Sequence, residues 1–120
     1  MSDIIVWVDI PVVDLERARA FYSAVTGYPV GLLPGMGTPI GVIGGPDDGV
    51  SADLYEGGEP THDGPTVYLG SGGDIDGMLA RVVEAGGKIL REKQLMGDVV
   101  GWVAFIEDTE GNRIGIQQPA

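Results

Sequence analysis

Cysteine is absent from this 120-residue chain, and histidine occurs once, at His62. The first absence excludes disulfides, thiolate metal sites and a cysteine nucleophile, and it fits a reducing compartment. The second excludes a Ser–His–Asp set, because a lone histidine in a solvated linker is badly placed as a base. Basic residues are scarce: seven Lys and Arg stand against eighteen Asp and Glu, a formal net charge of −11. A nucleic-acid surface needs a basic patch, so no nucleic-acid partner is expected. No apolar run approaches the roughly 20 residues of a membrane span. The opening MSDIIVWV lacks the basic flank and cleavage site of a signal peptide. The expectation is a soluble, cytoplasmic protein with no membrane partner.

Glycine is plentiful, with 21 residues, and pairs such as Gly72–Gly73 and Gly86–Gly87 punctuate the chain. They fall at element ends, where positive φ is useful, and none forms a GxGxxG or GxxxxGK[ST] phosphate cradle. Between them lies a repeat. In DLERARAFYSAVTG, Asp14 is a natural N-cap, Leu15, Ala18, Phe21, Tyr22 and Val25 form an apolar stripe, and Gly27 closes the helix. In DIDGMLARVVEAGG, Asp74 or Asp76 caps, Ile75, Met78, Leu79 and Val82 supply the stripe, and Gly86 ends it.

Each helix follows an apolar strand, Ile4–Ile10 and then Thr66–Leu69. Each precedes three more strand-like runs: Tyr28–Leu33, Thr38–Ile43 and Val50–Tyr55, then Lys88–Lys93, Val99–Ile106 and Asn112–Gln117. The chain therefore reads as a divergent duplication, a first βαβββ module over 1–57, a linker over 58–65 and a second module over 66–120. Glu107 and Asp108 precede the last hairpin turn and are assigned to it.

The segments IPVVDLERARAFYSAVTGYPV, GDIDGMLARVVEAGGKIL and VAFIEDTEGNRIGI together resemble the vicinal oxygen chelate superfamily. That superfamily includes glyoxalase I, extradiol dioxygenases and the bleomycin and fosfomycin resistance proteins. The resemblance implies an α+β fold, two βαβββ modules forming a curled eight-stranded mixed sheet around a cavity. It also implies a homodimer, with the cavity built within one chain or across two. Metal-dependent members place His or Glu ligands on the first and fourth strand of each module. The matching positions here are Trp7, Asp53, Thr66 and Gly115, the hairpins being aligned on Gly49 and Gly111. Only Asp53 is a good ligand, and a catalytic divalent ion takes about three from the protein. No metal and no other cofactor is expected.

Alternation along VWVDIPVV sends Val6, Val8 and Ile10 to the core, and Trp7 and Asp9 to the other face. The same rule sends Ser51, Asp53 and Tyr55, Thr66 and Tyr68, and Arg113, Gly115 and Gln117 toward the cavity. Strand VVGWVAFIE is apolar on both faces, so either Trp102 or Phe105 reaches the cavity. Trp7 either binds a ligand or plugs the space vacated by a metal. Asp9 either serves a ligand, pairs with Arg113 or meets water at the mouth. Gly115 makes room at the cavity floor.

Aromatic walls and two carboxylates suit a cationic or aromatic small molecule. The leading expectation is a metal-independent small-molecule-binding protein that sequesters such a compound. The alternative is a lyase or isomerase with Asp9 or Asp53 as general base, or with an atypically held divalent metal. A third reading is a dimeric structural or regulatory module with a filled cavity.

Overall fold

The computed structural model describes residues 3–120. Strand β1 (Trp7–Val12) leads into helix α1 (Leu15–Thr26), followed by β2 (Val30–Pro34), β3 (Pro39–Ile43) and β4 (Ser51–Glu56). The second module runs β5 (Val67–Gly70), α2 (Ile75–Glu84), β6 (Lys88–Leu95), a single turn α3 (Gly97–Val100), β7 (Trp102–Glu107) and β8 (Arg113–Gln118). The class is α+β with the repeat as expected. The eight strands divide into two mixed four-stranded sheets, ordered β1-β4-β3-β2 and β5-β8-β7-β6. In each, the first strand runs parallel to the last, and the remaining pairs are antiparallel.

Helix α1 begins where the Asp14 carboxylate accepts the Arg17 N–H at 3.1 Å, and it ends on Gly27 at φ 78°. Of the two candidate caps on α2, Asp74 does the work, accepting the Gly77 N–H at 3.0 Å. A second capping device repeats between modules. Glu56, the last residue of β4, accepts the Leu15 N–H at 3.0 Å, and Gln118 at the end of β8 accepts the Ile75 N–H at 2.8 Å. Each module thus locks its helix start to its own last strand.

The ends of some elements differ from the sequence reading. Strand β1 starts at Trp7, which pairs with Ser51, the first residue of β4. Ile4, Ile5 and Val6 precede any partner and stay exposed. Thr66 lies one residue before β5, and Val99 and Val100 sit in α3 rather than in the seventh strand. Positive φ at Gly97 (91°) and Gly101 (79°) brackets that turn, a break that an apolar run conceals.

Both helices and the inner faces of both sheets share one core, built on Ile10, Leu54, Phe21, Tyr22, Met78 and Ile116. Phe21 and Tyr22 meet edge to face with centroids 5.1 Å apart. The polar hub inside this core is the β7–β8 turn. Asp108 Oδ1 accepts the N–H groups of Glu110, Gly111 and Asn112 at 2.8–2.9 Å. Its Oδ2 accepts Tyr22 Oη–H at 2.6 Å and Asn112 Nδ2–H at 3.0 Å. Burial, and then the Asp108 charge, push the Tyr22 hydroxyl pKa well above its usual value.

Glu110 ties the same turn to α1, accepting from Val13 N, Asp14 N and Arg17 Nε at 2.9, 2.7 and 2.7 Å. Burial alone would raise the Glu110 pKa, but these bonds and that of Thr109 outweigh it and hold the carboxyl at about 2. Its stabilisation is therefore complete above pH 4.5 and is lost as the pH falls through about 2.

Removing the hub acceptor should be severe. Asp108→Ala strands five donors and should cost about 3–5 kcal/mol in urea unfolding at pH 7. Tyr22→Phe, which removes one donor only, should cost about 1–2 kcal/mol.

Candidate functional site

The faces of the two sheets turned away from the helices hold the candidate residues. On the first sheet, the parallel ladder sets Trp7 beside Ser51, Asp9 beside Asp53 and Pro11 beside Tyr55. Paired residues share a face, so these side chains stand together, opposite the buried Val12, Ile10, Ala52 and Leu54. Asp53 is 4% exposed, whereas Trp7 is 43% exposed. Trp7 Nε1–H donates to Asp53 Oδ2 at 2.7 Å. Ser51 spends its hydroxyl on the Ile43 carbonyl at 2.6 Å.

Asp53 has an unusual environment for a carboxyl group. Burial raises its pKa first, the neighbouring Asp9 carboxyl raises it further by sharing a hydrogen bond and by charge, and the Trp7 indole partly opposes both. The balance lies at about 6, against an ordinary 3.8. Asp9, the other base candidate, is exposed and forms no ion pair with Arg113. A cavity of about 520 Å³ abuts Trp7 and Ser51, lined also by Gly31, Leu33, Val42 and Pro46 of the first module.

On the second sheet, Phe105 pairs with Gly115 and Tyr68 with Gly115 from the other side, so Phe105 shares the Tyr68 face. Trp102 packs instead against the core side, with the Lys93 ammonium 5.0 Å from its ring centroid. The open choice between them falls to Phe105. Tyr68 and Phe105 meet with centroids 6.0 Å apart at 63°. A Cβ on Gly115 would collide with the Tyr68 ring, so the space released by the missing side chain is taken by that ring. Arg113 Nη2–H donates to Thr66 Oγ1 at 2.6 Å, and its Cζ lies 5.8 Å from the Phe105 centroid. Gln117 Nε2–H reaches the Val100 carbonyl at 2.8 Å.

The four ligand positions implied by the resemblance do not form a cation cage. At the first, an indole N–H donor points at the one carboxylate; at the third, a guanidinium occupies the hydroxyl; the fourth has no side chain. Among the described residues no three His, Cys, Asp or Glu gather as metal ligands. The residues present do not fit a divalent metal. His62, expected to be merely solvated, engages Glu107 through Nε2 at 2.7 Å, so Glu107 serves that pair and only Asp108 serves the turn.

Residues that alternation did not single out complete the second face. Arg91 pairs with Phe105, and Gln94 with Val103, across a β6–β7 ladder broken by two register shifts. Those irregularities destroy the period-2 signal that would have pointed to them.

The raised Asp53 pKa yields a stability prediction with a definite sign. A carboxyl raised on folding stabilises the native state below pH 3.8, and that contribution is lost as the pH rises through about 6. Asp53→Asn keeps an acceptor for Trp7 and should stabilise the protein by about 3 kcal/mol at pH 8. The gain should fade toward pH 4 in denaturant melts of the two proteins.

Comparison with known proteins bears on the fold. A domain from Frankia sp. EAN1pec, described as glyoxylase/bleomycin resistance protein/dioxygenase, superposes with TM-score 0.74 at 20% identity, covering 100% of this chain and 94% of that one. TnmS3, an antibiotic binding protein from Streptomyces sp. CB03234, gives TM-score 0.70 at 23% identity over 99% and 98%. The fosfomycin resistance protein FosX from Listeria monocytogenes, complexed with Mn(II) and 1S,2S-dihydroxypropylphosphonic acid, gives 0.67 at 15% identity over 100% and 93%. A search of the curated proteins found no match. The family model matches residues 4–116 of the 120, and the chain belongs to the Glyoxalase/Bleomycin resistance protein/Dioxygenase superfamily.

Proposed function

We propose that the protein binds a small planar molecule without a metal, holding a cationic or aromatic part of it against Trp7, Asp53 and Asp9. One observation supports this reading above the others. A buried carboxyl, hydrogen-bonded to an indole and beside a second carboxyl, stands where metal-dependent relatives have ligands. Such a group gains from a positive charge brought by a ligand, and the indole face adds stacking and cation–π attraction. The likeness to an antibiotic binding protein supports small-molecule recognition as the reading to test here. Localisation in the cytoplasm is part of the same proposal, in keeping with the absence of cysteine.

Dimerisation belongs to this proposal as well. Each outer face is open in the single chain, with Trp7 43% and Tyr68 52% exposed. The cavity at Trp7 is lined by the first module and the cavity at Phe105 by the second. A second copy that covers one face with the other encloses the ligand.

A second reading draws on the Asp53 pKa of about 6, which suits a general base near neutral pH. In it, Asp53 takes a proton from a bound substrate in a lyase or isomerase reaction, and Tyr68 or Tyr55 stands as the proton donor.

Titration of the Trp102→Phe protein with acridine orange, read by Trp7 quenching, should give binding at about micromolar level. Trp7→Ala, measured by dye fluorescence, should weaken it at least tenfold; absence of binding across a panel of planar aromatic cations would sink the proposal. Incubation with Ni²⁺, Zn²⁺, Mn²⁺ and Fe²⁺ followed by desalting should leave no stoichiometric metal by mass spectrometry. Retained metal that disappears in Asp53→Ala would return the protein to the metal-dependent class.

A further inference from the structure

In a chain with eighteen acids and seven Lys and Arg, carboxylates outnumber cations by more than two to one. Arg17 meets Glu110, Arg19 meets Glu16, Lys88 meets Glu107 and Lys93 meets Asp76. Arg81 reaches the Val25 carbonyl. Among the described residues, Arg81, Arg91 and Arg113 form no ion pair, and of these only Arg91 and Arg113 flank an aromatic ring on the second sheet. Both stand on the outer face of the second sheet, on either side of Phe105. Arg91 is its partner across the β6–β7 ladder, and the Arg113 guanidinium lies 5.8 Å from its ring centroid.

Two further details separate this arrangement from a solvated surface. Arg113 Nε–H is buried and has no acceptor, which a folded chain seldom tolerates. Glu107, which faces Arg113 across the β7–β8 ladder, is taken up by His62 at 2.7 Å instead. The cavity over this face has a volume of about 620 Å³, and Tyr68, Phe105, Arg91, Gln94 and Gln117 line it without any carboxylate. The first sheet shows the opposite pattern, with Asp9 and Asp53 and no base beside them.

We propose that the outer face of the second sheet is a subsite for an aromatic ring bearing a carboxylate or similar planar anion. The ring lies against Phe105 and Tyr68, and the anion sits by the Arg91 and Arg113 guanidinium groups, whose forked donors match it. The inference rests on the reading of the outer faces as ligand walls, and it adds the charge of the ligand's second end. The molecule bound between an acidic wall and a basic one is then an amphoteric aromatic compound.

Calorimetric titration of the intact protein at low salt with 2-naphthoate, naphthalene-2-carboxamide and 2-naphthylmethylammonium tests this. The naphthoate should bind at least about tenfold more tightly than the neutral amide. Arg91→Gln, at an exposed position that leaves the fold intact, should reduce it to the level of the amide, as should Arg113→Gln, with Arg113→Lys retaining part of the gain. Naphthoate no tighter than the amide, or unaffected by Arg91→Gln, would overturn the subsite. The ammonium probe reports on the other wall. Its failure in a protein that still selects naphthoate would remove the acidic-wall reading and leave the basic subsite standing; failure of both probes removes both.

Discussion

The buried Asp108 carboxylate is the constraint on which the two halves of the molecule depend. One oxygen folds the β7–β8 turn by accepting three consecutive backbone N–H groups. The other accepts Tyr22 of α1 and Asn112, whose amide also donates to the Pro11 carbonyl of β1 at 2.7 Å. A turn in the second module thereby fixes the helix and the first strand of the first. Pro11 is four residues from Trp7 on a regular strand, so the position of the indole follows from this distant carboxylate. The start of β8 is set by the same bonds, and Arg113 is the next residue along. Both walls of the candidate site are thus referenced to one buried group.

The scaffold handles two of its buried acids, Glu110 and Asp53, in opposite ways. Glu110 is supplied with an arginine, two backbone N–H groups and a hydroxyl, and its pKa falls to about 2. Asp53 receives one indole donor and a neighbouring carboxyl, and its pKa rises to about 6. The first arrangement stabilises the fold at neutral pH, and the second works against it. A buried carboxyl held at such a cost beside a half-exposed indole is the pattern that perturbed groups show at functional sites.

Much of this architecture is legible in the residues themselves. Alternation in β1 and β4 assigns Trp7, Asp9, Ser51 and Asp53 to one face, because a regular strand has a strict period of two. The helix stripes and the Asp14 cap mark α1 with little ambiguity, and the duplication follows from the order of elements. What alternation cannot convey is contact. That Trp7 bonds to Asp53, or that Tyr68 fills the space over Gly115, depends on rotamers and on a partner strand 46 or more residues away. Nor does it survive irregular backbone: the two shifts in β6 hid Arg91, and an apolar run hid α3, which Gly97 and Gly101 bracket.

Charge provides the remaining step from scaffold to recognition. A net charge of −11 suggests a uniformly acidic surface, yet the cations are distributed with a pattern. Arg17, Arg19, Lys88 and Lys93 are matched by Asp or Glu and Arg81 turns to a backbone carbonyl, while the two cations flanking Phe105 have neither an Asp nor a Glu partner. In relatives that use a metal, one central ion supplies the positive charge that orients a polar ligand. Here the ion's positions hold an indole, a carboxyl, a hydroxyl and a glycine, and positive charge is found instead on the second sheet, apart from the acids on the first. A fixed guanidinium can orient an anion as a metal does, though it cannot act as a Lewis acid. Under the proposed reading, binding survives that exchange more readily than metal-assisted chemistry does.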